Sequence, residues 1–138
     1  MTKINTAINL SLRRKLLFLS NLVLSLYCFL SMRFFPKSAR LKTGKSNEGV
    51  SDINFIRDLK WAIVTVEKYV PWPNVCRHQA YQVAIICRIF NLPYEVYIGF
   101  KKDIRSGKVI AHAWTLSDNI MVSGHCNPKE YVLQKHER

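Results

Sequence analysis

The chain has 138 residues, a length that fits one domain with an appended segment and excludes a multidomain machine. Hydrophobic residues make up 49% and charged residues 22%, close to the globular averages, which excludes wholesale disorder and a polytopic membrane protein. The formal net charge is +12, and it is concentrated in residues 1–48, which hold nine basic residues and one acid, Glu48. This positive charge is compatible with binding to nucleic acid, to an anionic membrane surface or to an acidic partner. The sequence motifs are needed to distinguish these three.

The basic head contains an uncharged apolar run, residues 16–32, that predicts a helix. At 1.5 Å per residue the run is about 25 Å long, slightly short of a bilayer core, which argues against spanning. We expect residues 13–35 to dock on the domain itself or on a partner subunit, with contact at a membrane surface as the alternative. No small-residue cleavage site follows the run, which disfavours a secretory signal, and no nucleic-acid-binding motif accompanies the charge.

Residues 36–51 are polar and contain Pro, Gly and Ser, which is typical of a linker. We therefore place a boundary near residue 48. Residues 1–48 are predicted to be a helical segment with its linker, and residues 49–138 to be the folded domain.

Two helices are predicted at the start of this domain. The first has a core-facing apolar stripe from Ile56 to Val70, with Ser51 and Asp52 available as caps and prolines at its end. The second runs from about Val75 to Phe90, with Asn74 as its expected N-cap.

Alternating patterns then predict strands over residues 94–100, 109–116 and 120–123, with a short strand at 131–132. Two helices followed by a small antiparallel sheet, preceded by the N-terminal apolar helix, predict an α+β fold.

The four cysteines are predicted to be free thiols. Cys76 and Cys87 lie on one predicted helix about 16 Å apart, beyond the reach of a disulfide, and Cys28 lies in the apolar run. The pattern favours a reducing, cytoplasmic compartment.

Cys76 and His112 are the candidate catalytic residues. Cys76 falls in the first turn of the second helix, where unpaired N–H groups and the helix dipole favour a thiolate and offer an oxyanion site. His112 lies on a strand, between two alanines and close to Trp114. A cysteine at a helix start and a histidine on a strand suit nucleophilic catalysis, in which the histidine accepts the thiol proton and later protonates the leaving amine.

Four features occur together in this chain: Glu67 on the first helix, Cys76 opening the second, the strand YEVYIGF after an NLP turn, and AHAW around His112. Over roughly residues 52–134 they resemble the transglutaminase-like maturation proteases of lasso-peptide biosynthesis, which process the leader from a precursor peptide. The resemblance implies a papain-like or transglutaminase-like core, with Cys76 as nucleophile and His112 as base. It implies that the protein acts on the precursor peptide in the cytoplasm. It also implies two partners, a leader-binding recognition protein and a macrolactam cyclase.

The sequence departs from that family at the residue that would orient the histidine. Members often carry an aspartate about twelve residues after the histidine, where this chain has Gly124. Asp118 would lie about 20 Å from His112 on an extended strand, too far to replace it. A hairpin turning at residues 118–119 places Gly124 or His125 opposite His112, so that Asn127, a backbone carbonyl or water is left to fill the role.

No metal and no cofactor are expected. The pairs Cys76 with His78 and His125 with Cys126 do not have the usual zinc-ligand spacing. Two alternatives to a peptidase stay open: a different Cys-His acyl transferase, and a non-catalytic adaptor that docks maturation enzymes through the basic head.

Overall fold

The computed structural model describes residues 10–35, 44–46 and 49–133, and for 44–46 only the backbone. Within these residues three α-helices pack on a small antiparallel sheet, which confirms the predicted α+β fold with its N-terminal apolar helix. The elements in chain order are α1 (Leu12–Phe34), β1 (Gly44–Ser46), α2 (Ile53–Tyr69), α3 (Cys76–Ile89), β2 (Tyr94–Lys102), β3 (Val109–Ser117), β4 (Ile120–Ser123), a 3-10 turn (Pro128–Glu130) and β5 (Val132–Leu133).

Helix α2 forms as its sequence predicts. The Asp52 side chain accepts a hydrogen bond from the Phe55 amide at 3.1 Å and so caps the N-terminus. The apolar stripe is buried in the core against α1, α3 and β4, and its members there are Ile56, Leu59, Ile63 and Val66.

The sheet has the order β1-β2-β3-β4, and β5 pairs with β2 on the same side as β1. The predicted strands are confirmed, with β2 longer than expected and β5 displaced by one residue. The prediction that residues 36–51 form a linker is wrong for 44–46, which pair with residues 94–96. This polar segment has no strand pattern of its own, and its pairing depends on the open edge of β2. Residues 36–43 and 47–48, which include the predicted boundary, lie outside the described residues.

Helix α3 begins at Cys76, and its N-cap is Val75, so the prediction of Asn74 as the cap is wrong. The Asn74 amide is turned inward instead, where its Oδ1 accepts a hydrogen bond from Gln82 Nε2 at 2.8 Å. The Val75 amide donates to His78 Nδ1 at 3.2 Å, so a histidine ring replaces the usual capping side chain.

Helix α1 packs along α2 and α3. Leu17 belongs to the main core cluster, and Arg13 and Arg14 both form ion pairs with Asp58 of α2, at 2.6 and 2.8 Å. By length and composition α1 could also be a membrane span or a signal segment. Its contacts nevertheless join it to the domain, and the boundary near residue 48 stays a prediction.

Candidate active site

Cys76 is the first residue of α3, where the amides of the first turn lack helical partners. Its partly exposed side chain packs against a small cluster formed by Ala80 and Ala84 of α3 and by Val96 and Ala113 of the sheet. The thiol therefore lies at the positive end of a helix dipole, close to the strand that carries the candidate histidine.

The turn before Cys76 is held by buried amides. Gln79 Nε2 donates to the Asn74 carbonyl at 2.9 Å, and Gln82 Nε2 donates to the Asn74 side chain. Trp72 Nε1 donates to Ser25 Oγ of α1 at 3.1 Å. Sequence reasoning missed these positioning residues. The signal for them was two glutamines, three and six residues after the cysteine, on the helix expected to be central and buried.

His112 has a defined partner on β4's C-terminal side. Its Nε2 lies 2.9 Å from the carbonyl oxygen of Gly124. Because a carbonyl can only accept, Nε2 carries the proton and Nδ1 keeps its lone pair in the neutral ring. The structure thus leaves Nδ1 as the nitrogen able to act as a base.

The ring of His112 is also fixed by aromatic packing. It stacks with Trp114 at 6.3 Å and with Tyr131 at 5.6 Å between centroids. Gly99 provides the space, since a Cβ there would lie 2.6 Å from the Tyr131 side chain and 2.9 Å from Trp114. These contacts place the imidazole on the side of β3 opposite to Ala113, because neighbouring strand residues point to opposite faces.

Cys76 packs against Ala113 on the face of the sheet that α3 covers, whereas His112, the neighbouring residue on β3, points to the other face. Between these two described residues no hydrogen bond is formed. The structure therefore does not bring the two candidate residues together, and their pairing requires a rearrangement of the imidazole or of the start of α3.

The other groups considered for orienting His112 are engaged elsewhere. Asn127 Oδ1 accepts from the Lys129 amide at 3.2 Å and caps the 3-10 turn. Asp118 lies in the β3–β4 turn, where it accepts from Ser51 Oγ. Of the groups left open by the sequence, the backbone carbonyl is the one that the structure brings to the imidazole.

An aspartate could not occupy the position of Gly124. This residue has a φ of +67°, and a Cβ on it would lie 2.1 Å from the Ala113 carbonyl oxygen and 2.8 Å from Trp114 Cα. The close approach of β3 and the chain after β4 requires glycine, and the same close approach aims the carbonyl at His112.

A cavity of about 320 Å³ lies between α2, the first turn of α3 and β4. Gln79, one turn after Cys76, and Gly124, which holds His112, both line it, together with the charged residues Lys60 and Glu67. The cavity is of the size that ligand sites usually have.

Two cysteines have no part in this site. Cys28 and Cys87 are fully buried, and burial raises the pKa of each thiol to about 12. Cys126 is partly exposed, and its thiol pKa is raised mainly by burial and further by the charge of Glu130. All four thiols are free.

Comparisons with known proteins identify the domain. The model of the transglutaminase-like superfamily matches residues 20–133, a range that includes most of α1, Cys76 and His112. No curated protein and no solved structure matches the chain. A domain of this type suggests chemistry of the cysteine-protease or acyltransferase kind. Since the match covers most of its length, the chain belongs to the transglutaminase-like superfamily.

Proposed function

We propose that this protein is a cysteine peptidase that cleaves the leader from a lasso-peptide precursor, with Cys76 as nucleophile and His112 as general base. The observation that carries the proposal is the hydrogen bond from His112 Nε2 to Gly124, which leaves Nδ1 as the basic nitrogen. The superfamily supports the reaction type, and the resemblance of residues 52–134 to leader peptidases suggests the substrate.

The proposed reaction proceeds in two steps. His112 Nδ1 takes the proton of the Cys76 thiol, and the thiolate attacks the scissile carbonyl while the amides of the first turn of α3 stabilise the oxyanion. The tetrahedral intermediate collapses to a thioester as the imidazolium protonates the leaving amine. Water, deprotonated by the same histidine, then hydrolyses the thioester and restores the thiol.

This reaction requires Cys76 Sγ and His112 Nδ1 to reach hydrogen-bond distance in the substrate complex. The cavity beside Gln79 and Gly124 is not lined by Cys76 or His112 themselves, and we assign it to substrate residues further from the scissile bond. We expect substrate binding to shift the start of α3 or to turn the His112 ring away from Tyr131, so that the two side chains meet on one face of the sheet.

The precursor, a leader-binding recognition protein and a macrolactam cyclase are the proposed partners, and the cytoplasm is the proposed location. Four free thiols agree with a reducing compartment. The recognition protein would supply the affinity for the leader, so that the peptidase itself needs only the residues around the cleavage point.

The test is cleavage of the precursor by the purified protein with the recognition protein, followed by mass spectrometry. Cys76→Ala and His112→Ala should abolish cleavage with the fold intact by circular dichroism. Cys126→Ala is the matched control, a partly exposed cysteine outside the proposed pair, and should keep activity. Cleavage by Cys76→Ala at the wild-type rate would refute the nucleophile.

The same experiment distinguishes the alternatives. Hydrolysis adds water to the fragment, whereas an acyl transferase would join an added amine to it. An adaptor without activity would leave the precursor intact in every variant.

A further inference from the structure

Helix α1 has the reverse polarity of an ordinary surface helix, because it buries polar residues and exposes apolar ones. The residues that it buries against the domain are Leu17, Asn21, Ser25 and Cys28, so half of the inner stripe is polar. Asn21 Nδ2 donates to the Leu17 carbonyl at 2.8 Å, and Ser25 accepts from Trp72. The domain thus binds the polar side of this helix.

The outer side of α1 is apolar along its whole length. Spacings of four and three residues place its members on one face, opposite to the buried stripe. The residues are Leu12, Leu16, Leu19, Val23, Leu26, Leu30 and Phe34, and their exposed fractions include 72% for Leu12 and 68% for Val23. Only 22% of the most apolar 18-residue window is buried, which is not what a core helix requires.

The charge around this stripe identifies what covers it. Residues 1–47 contain nine basic residues and no acid, with Lys15 and Arg33 on the helix and Lys37, Arg40, Lys42 and Lys45 after it in sequence. A second copy seated on the stripe would bring two such heads together without an acidic counterpart. An anionic phospholipid surface offers both an apolar layer and the opposite charge.

We propose that α1 lies on an anionic phospholipid bilayer, with the outer stripe buried at the boundary between headgroups and acyl chains. The inner side of the helix stays on α2 and α3, as in the structure, so the helix lies flat and does not cross the bilayer. At 23 residues it is about 34 Å long, and its whole length takes part. The domain would thereby be held at the membrane with α1 between lipid and core.

The test is flotation of the full-length protein with vesicles of phosphatidylcholine, with and without phosphatidylglycerol. The wild type should float with the anionic vesicles and about tenfold less with the neutral ones, and added salt should weaken its binding. A variant carrying Leu19→Ser, Val23→Ser and Leu30→Ser should lose about tenfold of the binding, since three apolar contacts with lipid are removed.

The matched control carries Ile104→Ser and Val109→Ser, which change exposed apolar residues of the β2–β3 hairpin and should float like the wild type. Since all substituted residues are exposed, circular dichroism should show unchanged folds, and Val23→Ser alone serves if the triple variant is unstable. Wild type that stays unbound, or a triple variant that floats equally well, overturns the proposal. A wild-type dimer that the triple variant converts to a monomer, without flotation, would show that a second copy covers the stripe.

Discussion

The imidazole of His112 donates from Nε2 to the carbonyl oxygen of Gly124, 2.9 Å away and 12 residues further along the chain. A substitution can remove a side-chain acceptor directly. A backbone carbonyl is present in every residue type, so it is displaced only when the backbone itself shifts. The orientation of the proposed base therefore depends on the conformation of one glycine.

Replacing Gly124 by alanine should disturb that conformation. The new Cβ would lie 2.1 Å from the Ala113 carbonyl oxygen at a φ of +67°, so the chain has to shift and carry its carbonyl away from His112. We expect a loss of stability on the order of 2 kcal/mol in urea unfolding, and a fall in the cleavage rate of the remaining folded protein.

Gly107→Ala is the matched control for this substitution. Gly107 has a φ of +69° but no atom within 4 Å of the added Cβ, so it carries the backbone strain without the clash. Its stability loss should be smaller and its cleavage rate unchanged. Equal losses of stability and activity in the two variants would contradict the role given to Gly124.

The four thiols should react at different rates with iodoacetamide at neutral pH. Cys28 and Cys87 are buried with thiol pKa values of about 12, and the thiol pKa of Cys126 is raised as well. Cys76 is partly exposed and lies at the positive end of the α3 dipole, so it should be labelled first. Peptide mapping by mass spectrometry after short labelling times measures the order. Equal labelling of Cys76 and Cys126 would favour a domain without an activated nucleophile.

Asp58→Asn should weaken the attachment of α1 to α2. Burial raises the pKa of the Asp58 carboxyl, but hydrogen bonds and charge from Arg14 and Arg13 outweigh it and hold the pKa below the ordinary value of 3.8. The ion pair therefore stabilises the fold at pH values above 3.8, and its contribution is lost as the pH falls through the lowered pKa.

At neutral pH we expect this variant to lose on the order of 2 kcal/mol, because hydrogen bonds to a charged group are removed from a mostly buried site. The difference from the wild type should shrink towards zero in strong acid. Urea unfolding at several pH values measures both. A constant difference at every pH would show that the carboxylate charge is not what matters.

Stability should also fall as the pH is lowered through the range in which His78 titrates. Burial, and then the charge of Arg77, lower the pKa of His78 below 6.5, so the unfolded chain binds a proton before the folded chain does. Stability is therefore greatest above pH 6.5 and declines below it, as protonation removes the acceptor of the Val75 amide.

His78→Asn should flatten this decline, since the titrating ring is gone. His125→Asn, at an exposed position, is the control and should keep the wild-type slope. Thermal unfolding across the range checks both variants. An unchanged slope in His78→Asn would assign the decline to another group.

Much of the fold could be predicted because its patterns are local. The stripe on α2 and the alternation in β2 and β3 are each visible in a few residues, and prolines and turn residues mark their ends. Strand β1 could not be predicted, because residues 44–46 pair through backbone groups with an edge that other residues create.

The inner side of α1 was equally hidden from the sequence. Polar residues such as Asn21 and Ser25 usually face solvent, and here both face the core. Trp72, 47 residues beyond Ser25, donates to the Ser25 hydroxyl there, and Asn21 donates to the Leu17 carbonyl of its own helix. In the candidate site, Cys76 and His112 were found from their positions on a helix and a strand. The hydrogen-bond acceptor for His112 could not be chosen among several candidate groups, because every residue has a backbone carbonyl and the residue type does not show which carbonyl is used.

The glycine at position 124 has a consequence for the charge balance of the reaction. An aspartate would supply a counterion whenever the imidazole gains its second proton, whereas the Gly124 carbonyl supplies only a dipole. The thiolate would then be the only counterion of the imidazolium. The population of this ion pair at neutral pH would depend more heavily on the macrodipole of α3 than in an enzyme with a full triad.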